Sequence, residues 1–243
     1  MSSWALVTGA TSGIGESFTR LLASNKYNIV LVARDLPRLQ ERAVALEAKY
    51  AIKTHIIQAD LATDEGCLRV EKHILENQID VLINNAGINF IDSVFDGENY
   101  EEIMQVNYFS PLRLFKLCLP HMKKQNYGRI INIGSVWVDY AKSGRSAYSA
   151  SKNALHSLTK SITSEYGAYN ILANTVSPGF FITDMTLQNN TEEAIKELRS
   201  KIPVGRLGYT NEVADLVYFL TIRNSYISGQ NIVIDGGYSC TAK

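Results

Sequence analysis

Tyr148 and Lys152 stand four residues apart, and Ser135 precedes the tyrosine by thirteen. On a helix, residues i and i+4 share a face about 6 Å apart, so the Lys152 ammonium can sit beside the Tyr148 phenol. A neighbouring positive charge favours phenolate and lowers a tyrosine pKa from its usual value of about 10. A tyrosine tuned in this way can give a proton to a carbonyl oxygen or take one from an alcohol. A serine hydroxyl aimed at the same oxygen would hold it and stabilise developing charge. A tyrosine and a lysine at this spacing also occur together on ordinary surface helices, so the rest of the chain decides what the trio means.

The elements that must position these residues alternate between strand and helix. Ala5-Leu-Val breaks into Thr8-Gly9-Ala-Thr-Ser-Gly13-Ile-Gly15, and an amphipathic pattern runs from Ile14 to Ala23. This reads as strand, glycine-rich turn and helix. Such a turn presents backbone N–H groups and a helix N-terminus to a pyrophosphate, with Gly9 allowing the tight turn and Gly13 and Gly15 the close approach. Ile29 to Ala33 is a continuous apolar run, as expected of a parallel strand buried on both faces. It ends at Arg34-Asp35, where a dinucleotide fold meets the adenosine ribose. An acidic residue there suits a free 2′-hydroxyl and an arginine suits a 2′-phosphate. Arg34 is the favoured partner, which makes NADPH rather than NADH the expected cofactor. Asp35 can also cap the following helix.

Residues 36–50 read as a helix and Thr54 to Ala59 as a third strand. Asp60-Leu61 follows, to hold the adenine edge or to cap the helix at 64–76. Ile79 to Ile83 is a fourth strand ending in Asn84-Asn85-Ala86-Gly87, where small residues let a cofactor lie close to the backbone and asparagine amides can tie neighbouring strands. Asn99 to about His121 reads as one long helix, kinked near Pro111. Asn107 lies inside it, where asparagine is a mediocre helix former and needs a partner if buried. Arg129 to Ile133 is a fifth strand that delivers Ser135. The Tyr148–Lys152 helix runs to about Gly167. A sixth strand, Ile171 to Val176, leads into Ser177-Pro178-Gly179, and a seventh, Asn231 to Ile234, closes the chain. The segment 184–208 is irregular and long enough to act as a substrate lid. Alternation throughout predicts one α/β domain with a Rossmann-like, doubly wound parallel sheet of seven strands. Its ligand site would lie at the strand C-termini.

Composition narrows the function classes. The 24 basic and 24 acidic residues balance, so no electrostatic footprint for nucleic acid or an anionic membrane is present. No basic region followed by an apolar stretch opens the sequence, and no apolar run approaches a membrane span. Cys67, Cys118 and Cys240 have neither disulfide-framework nor metal-ligand spacing, and the four histidines form no paired motif. A reducing cytoplasm and a site without metal are expected.

Taken together, Thr8-Gly9-Ala-Thr-Ser-Gly13-Ile-Gly15, Asp60, Asn84-Asn-Ala-Gly87, Asn107, Ser135, Tyr148 with Lys152, and Pro178-Gly179 with Thr183 resemble the short-chain dehydrogenase/reductase family over essentially the whole chain. The resemblance implies an NAD(P)-dependent oxidoreductase acting between a carbonyl and a secondary alcohol. It implies cofactor contacts from Gly9, Thr11, Ser12, Gly13, Ile14, Gly15, Arg34, Asp60, Leu61, Asn85, Ala86, Gly87, Tyr148, Lys152, Pro178, Gly179, Phe181 and Thr183. Phe181 and Thr183 would meet the nicotinamide end, and Lys152 would also hold its ribose. Asn107 would fix a proton-relay water. Ser135, Trp137 and Tyr148 would meet the substrate. The second half is similar to the bacterial 3-oxoacyl-[acyl-carrier-protein] reductases, in Gly128 to Val136, Pro178 to Thr186 and Pro203 to Gly208. This makes a 3-oxoacyl thioester the first substrate to consider. In those enzymes two surface arginines receive the carrier protein; Arg129 matches one, and Tyr169 stands at the other. The alternatives are reduction of another small metabolite's carbonyl (a sugar, polyol or secondary-metabolite ketone) and a non-catalytic NADPH-binding regulator. The family is commonly tetrameric, so a homotetramer or homodimer is expected, built on the helices near 99–122 and 147–167.

Overall fold

The computed structural model describes residues 3–95, 97–140, 142–183, 186–187 and 191–241. Seven strands form one sheet: β1 (Trp4–Thr8), β2 (Asn28–Ala33), β3 (Thr54–Gln58), β4 (Val81–Asn84), β5 (Gly128–Ile133), β6 (Ile171–Pro178) and β7 (Asn231–Ile234). Their order is β3-β2-β1-β4-β5-β6-β7, and every pair is parallel. The central strands β4, β5 and β6 are buried along their whole length, as continuous apolar runs covered on both faces should be.

Helices cover the two faces. On one lie α1 (Gly13–Ser24), α2 (Leu36–Tyr50) and, late in the chain, α8 (Thr210–Tyr218). Phe18, Leu22, Leu39, Val213 and Val217 pack there against Val7, Leu31 and Ile83. On the other lie α3 (Asp64–Glu76), α5 (Ser110–Gln125) and α6 (Ser146–Tyr166), where Val70, Leu114, Cys118 and Ile162 pack against Leu6, Leu82 and Ile130. Two short helices complete the set, α4 (Tyr100–Met104) and α7 (Glu192–Ser200). From β1 the chain winds outward to β3, then returns to start β4 on β1's other side. That reversal opens a crevice above the C-terminal ends of β1 and β4, where ligands of such sheets bind.

The expected long helix is interrupted, but not at Pro111. A π-turn at Gln105–Phe109 separates α4 from α5, and Pro111 falls in the first turn of α5, where a missing N–H is tolerated. The cause is still the proline. Pro111 stands four residues after Asn107 and has no N–H, so the Asn107 carbonyl lacks its α-helical donor. Single π-turns of this kind recur at functional sites. In the 184–208 segment, Asp184, Met185 and residues 188–190 lie outside the described residues. The segment's end is stitched down: Gly208 N–H donates to Phe180 O (2.9 Å), Ile182 N–H to Gly208 O (2.8 Å) and Val204 N–H to Gly236 O (3.1 Å).

Candidate active site

The glycine turn is shaped by what it must avoid. A Cβ on Gly15 would lie 2.1 Å from the Gly9 carbonyl oxygen, so the first turn of α1 closes on the end of β1 only with glycine there. Ser12 is the N-cap of α1, yet its hydroxyl makes no capping hydrogen bond. Ser12 and the turn residues Gly9, Thr11, Gly13 and Gly15 border the crevice, where a helix N-terminus suits a phosphate.

The Asn84–Gly87 segment is tied to this turn. Thr8 Oγ1 accepts the N–H groups of Asn85 and Ala86, each at 3.0 Å. Asn85 Nδ2 donates to Thr8 O (2.9 Å) and Gly9 O (3.1 Å). Asn84 Nδ2 donates to Asn132 Oδ1 (2.8 Å), and Asn132 Nδ2 to Thr159 Oγ1 (2.9 Å). The asparagine amides thus couple β4, β5 and α6, as expected of them.

These elements border a cleft of about 720 Å³. Of the residues expected at the cofactor, Gly9, Thr11, Ser12, Gly13, Ile14, Gly15, Arg34, Asp60, Leu61, Asn85, Ala86, Gly87 and Thr183 line it. Asp60 turns its carboxylate to the Ala62 N–H (3.0 Å), while α3 is capped by Thr63, so the helix-cap alternative for Asp60 does not apply. Asp35 caps α2 through the Arg38 N–H (3.0 Å). Among the described residues no carboxylate pairs with Arg34. The cleft also takes in Arg38, Ile88, Glu102 and Val106, which sequence reasoning missed. For Arg38 a signal existed: a second arginine one helical turn beyond Arg34. Pro178, Gly179 and Phe181 do not line the cleft. Phe181 is 5% exposed and turns its ring under Gly208, where a Cβ would come within 2.5 Å of it. Thr183 follows these three in the chain and does line the cleft.

Beyond Gly87 the cleft meets the reactive group. A Cβ on Gly87 would sit 3.2 Å from Lys152 Nζ and 3.3 Å from Asn107 Oδ1, so glycine lets both approach the strand end. Lys152 donates from Nζ to Ile133 O (2.8 Å) and lies 5.6 Å from the Tyr148 ring centre. It is buried with no carboxylate, and burial lowers its pKa to about 8. Asn107 accepts Ile88 N–H (2.9 Å) and donates to Ile88 O and Ser151 Oγ (both 3.0 Å). Ser151 in turn donates to the Tyr148 carbonyl (2.7 Å). The Ser135 hydroxyl lowers the Tyr148 pKa, and Ser135 Oγ accepts Trp137 N–H (3.3 Å). The Trp137 ring meets Phe180 and Tyr238 edge-on, with centroids 6.2 Å away in each case.

The electrostatics differ from expectation at one point. The Tyr148 pKa is raised in the protein alone, because burial outweighs the lowering by the Ser135 hydrogen bond and the Arg145 charge. Lys152, itself buried and only weakly held in its charged form, does not offset this.

The model of the short chain dehydrogenase family matches residues 3–194. The chain belongs to the short-chain dehydrogenase/reductase family. It is an NAD(P)-dependent oxidoreductase, which displaces the non-catalytic reading. The 3-oxoacyl-[acyl-carrier-protein] reductase of Aquifex aeolicus is 36% identical over 239 residues, 96% of each chain. Carbonyl reductase family member 4 of Xenopus tropicalis is 34% identical over 98% of each. Among solved structures, L-sorbose reductase from Gluconobacter frateurii, complexed with NADPH and L-sorbose, superposes with a TM-score of 0.91 at 26% identity, covering 99% of this chain and 98% of that one.

Arg129 corrects one expectation drawn from the acyl-carrier reductases. It is 6% exposed, its guanidinium lies 4.3 Å from the Tyr127 ring centre, and Nη1 donates to Gly128 O and Asn170 O, each at 2.8 Å. So enclosed, it is no surface contact for a carrier protein. Among the described residues no helix is long and apolar enough to cross a membrane, and no three His, Cys, Asp or Glu side chains gather as a metal site.

Proposed function

We propose that this oxidoreductase reduces a ketone with NADPH, using Tyr148 as the acid, Ser135 as the group that orients the carbonyl, Lys152 as the cation behind them and Asn107 as the anchor of a proton relay. The observation that carries the reading is the approach of Lys152 and Asn107 to Gly87 at the end of the cleft, with the Tyr148 ring beside Lys152 and Ser135 acting on Tyr148. When bound, a reduced nicotinamide supplies the hydride. Tyr148 gives its proton to the carbonyl oxygen while Ser135 donates a hydrogen bond to the same atom. Lys152 stabilises the phenolate that remains and holds the cofactor ribose. The Asn107 carbonyl, without an α-helical donor, suits a water that returns the proton. Arg34 and Arg38 at the far end of the cleft support NADPH over NADH, since two guanidinium groups suit a 2′-phosphate. Residues 184–208 serve as the lid over the substrate, hinged on the anchored 202–208 stretch.

Tyr148→Phe tests the acid. Turnover should fall by about 10²–10⁴-fold, with NADPH binding unchanged by cofactor fluorescence. A variant that keeps the wild-type rate sinks the assignment. For the substrate, the acyl-carrier reductase relative supports a 3-oxoacyl thioester, and acetoacetyl-CoA with NADPH beside NADH is the first assay. The burial of Arg129 favours a second reading, a small free carbonyl metabolite with no carrier. Assembly through α5 and α6 is supported by Phe109, 46% exposed in the single chain, whereas Phe115 and Leu155 are interior. Sedimentation showing only a 27.0 kDa species would remove a homotetramer or homodimer.

A further inference from the structure

Among the described residues, two cations beside the reactive pair have no carboxylate partner. Arg145 immediately precedes α6 and is half-buried. Its N–H donates to Lys142 O (3.1 Å), and its carbonyl accepts Ser149 N–H (2.8 Å). Both residues are thereby fixed in the turn that leads into Tyr148. Arg145 stands three residues before Tyr148, one helical turn away, and its charge lowers the Tyr148 pKa. Lys142 Nζ lies 5.1 Å from the Trp137 ring centre, and the Trp137 N–H is held by Ser135 Oγ. One cation therefore flanks Tyr148 and the other flanks the Ser135 side. Neither side chain makes an ion pair or hydrogen bond among the described residues. Asp92, on the loop that crosses this turn, does not neutralise them: its carboxylate accepts from Asn99 Nδ2 (2.6 Å), and only its N–H reaches Gly144 O.

A partly desolvated guanidinium is expensive without an anion, and its planar donor fork matches a carboxylate or phosphate. Here Arg145 stands one helical turn before Tyr148, the residue whose hydroxyl would meet the carbonyl oxygen. We propose that the substrate ketone carries a negatively charged group within about two or three carbons of its carbonyl, and that Arg145, assisted by Lys142, binds that group. This rests on the ketone-reductase reading of the site and narrows it to oxo-acids or oxo-phosphates.

The test is calorimetric binding in the presence of NADP⁺, so that no reduction occurs, using two matched pairs. One pair is acetoacetate and methyl acetoacetate; the other is dihydroxyacetone phosphate and dihydroxyacetone. The charged member of at least one pair should bind wild type about tenfold or more tightly than its neutral mate, the range of a charged hydrogen bond. Arg145→Gln should erase that preference without weakening the neutral compound, and Arg145→Lys should restore part of it. The pair that responds separates carboxylate from phosphate. No preference for the charged member of either pair, including no binding by any of the four, overturns the proposal. So does an Arg145→Gln variant that weakens charged and neutral compounds alike, which would make Arg145 a tuner of Tyr148. NADPH oxidation is measured separately on the same compounds. Preserved anion selectivity without turnover would sink the reductase reading and leave the anion site standing.

Discussion

Asn107 grips Ile88 by both backbone groups, accepting its N–H at 2.9 Å and donating to its carbonyl at 3.0 Å. One fully buried amide thus fixes the path of the chain just past Gly87, while Pro111 denies the same residue's own carbonyl its α-helical donor. Asn107→Ala would leave the N–H and C=O of the half-buried Ile88 without this partner, at up to about 1 kcal/mol for each group. The melting temperature should drop by several degrees along with turnover. An Asn107→Ala protein as heat-stable as wild type would show that Ile88 finds other partners.

Lys152 carries a stability penalty that is also its chemistry. Its folded pKa of about 8 lies below the unfolded 10.5. Between these values the unfolded chain binds the proton and the folded one does not, so stability from this group rises with pH across that window. Below the window the folded protein bears the full cost of a buried charge. Lys152→Met should therefore abolish turnover and yet stabilise the protein at neutral pH by roughly 3 kcal/mol, less about 1 kcal/mol for the lost bond to Ile133. The gain should shrink as pH rises from 8 toward 10.5. Thermal melts across pH would check it, and a gap independent of pH would contradict the burial argument.

Ser135 lowers the Tyr148 pKa against the upward push of burial. Ser135→Ala should move the ascending limb of the pH–rate profile for alcohol oxidation, along which Tyr148 must lose its proton, to higher pH, as well as reduce the rate. An unmoved limb would mean that Tyr148 is not the group that titrates.

At the other end of the cleft, Arg34→Gln should raise KM for NADPH by about tenfold or more, the scale of a lost charge-assisted contact. KM for NADH should stay unchanged. Adding Arg38→Gln should widen the effect. Equal changes for both cofactors would argue for a structural role of these arginines.

Much of this architecture was legible because its signals are local and redundant. Apolar runs ending in glycine or asparagine mark buried strands that open onto a cleft, and Asn84–Gly87 had a reading in both side-chain and backbone terms. What escaped depends on three-dimensional context. Pro111 is plain in the sequence, but its effect falls one turn earlier, at the carbonyl it fails to satisfy. Arg129 reads as a surface cation until Tyr127 and Asn170 enclose it. Phe181 follows a cofactor-binding motif, yet Gly208, remote in sequence, offers its ring a place inside. The pKa of Tyr148 turns on burial, which spacing along a helix does not report.

All seven strands run the same way, and the turns after β1, β2, β3, β4 and β5 bring Gly9, Arg34, Asp60, Asn85 and Ser135 to one rim. The opposite rim, where Trp4 opens β1 and Gly128 opens β5, holds none of these groups. The molecule therefore has a working end and a handling end. A bead or electrode coupled through a linker ahead of Trp4 would hold it by the handling end and leave the cleft facing the reactants.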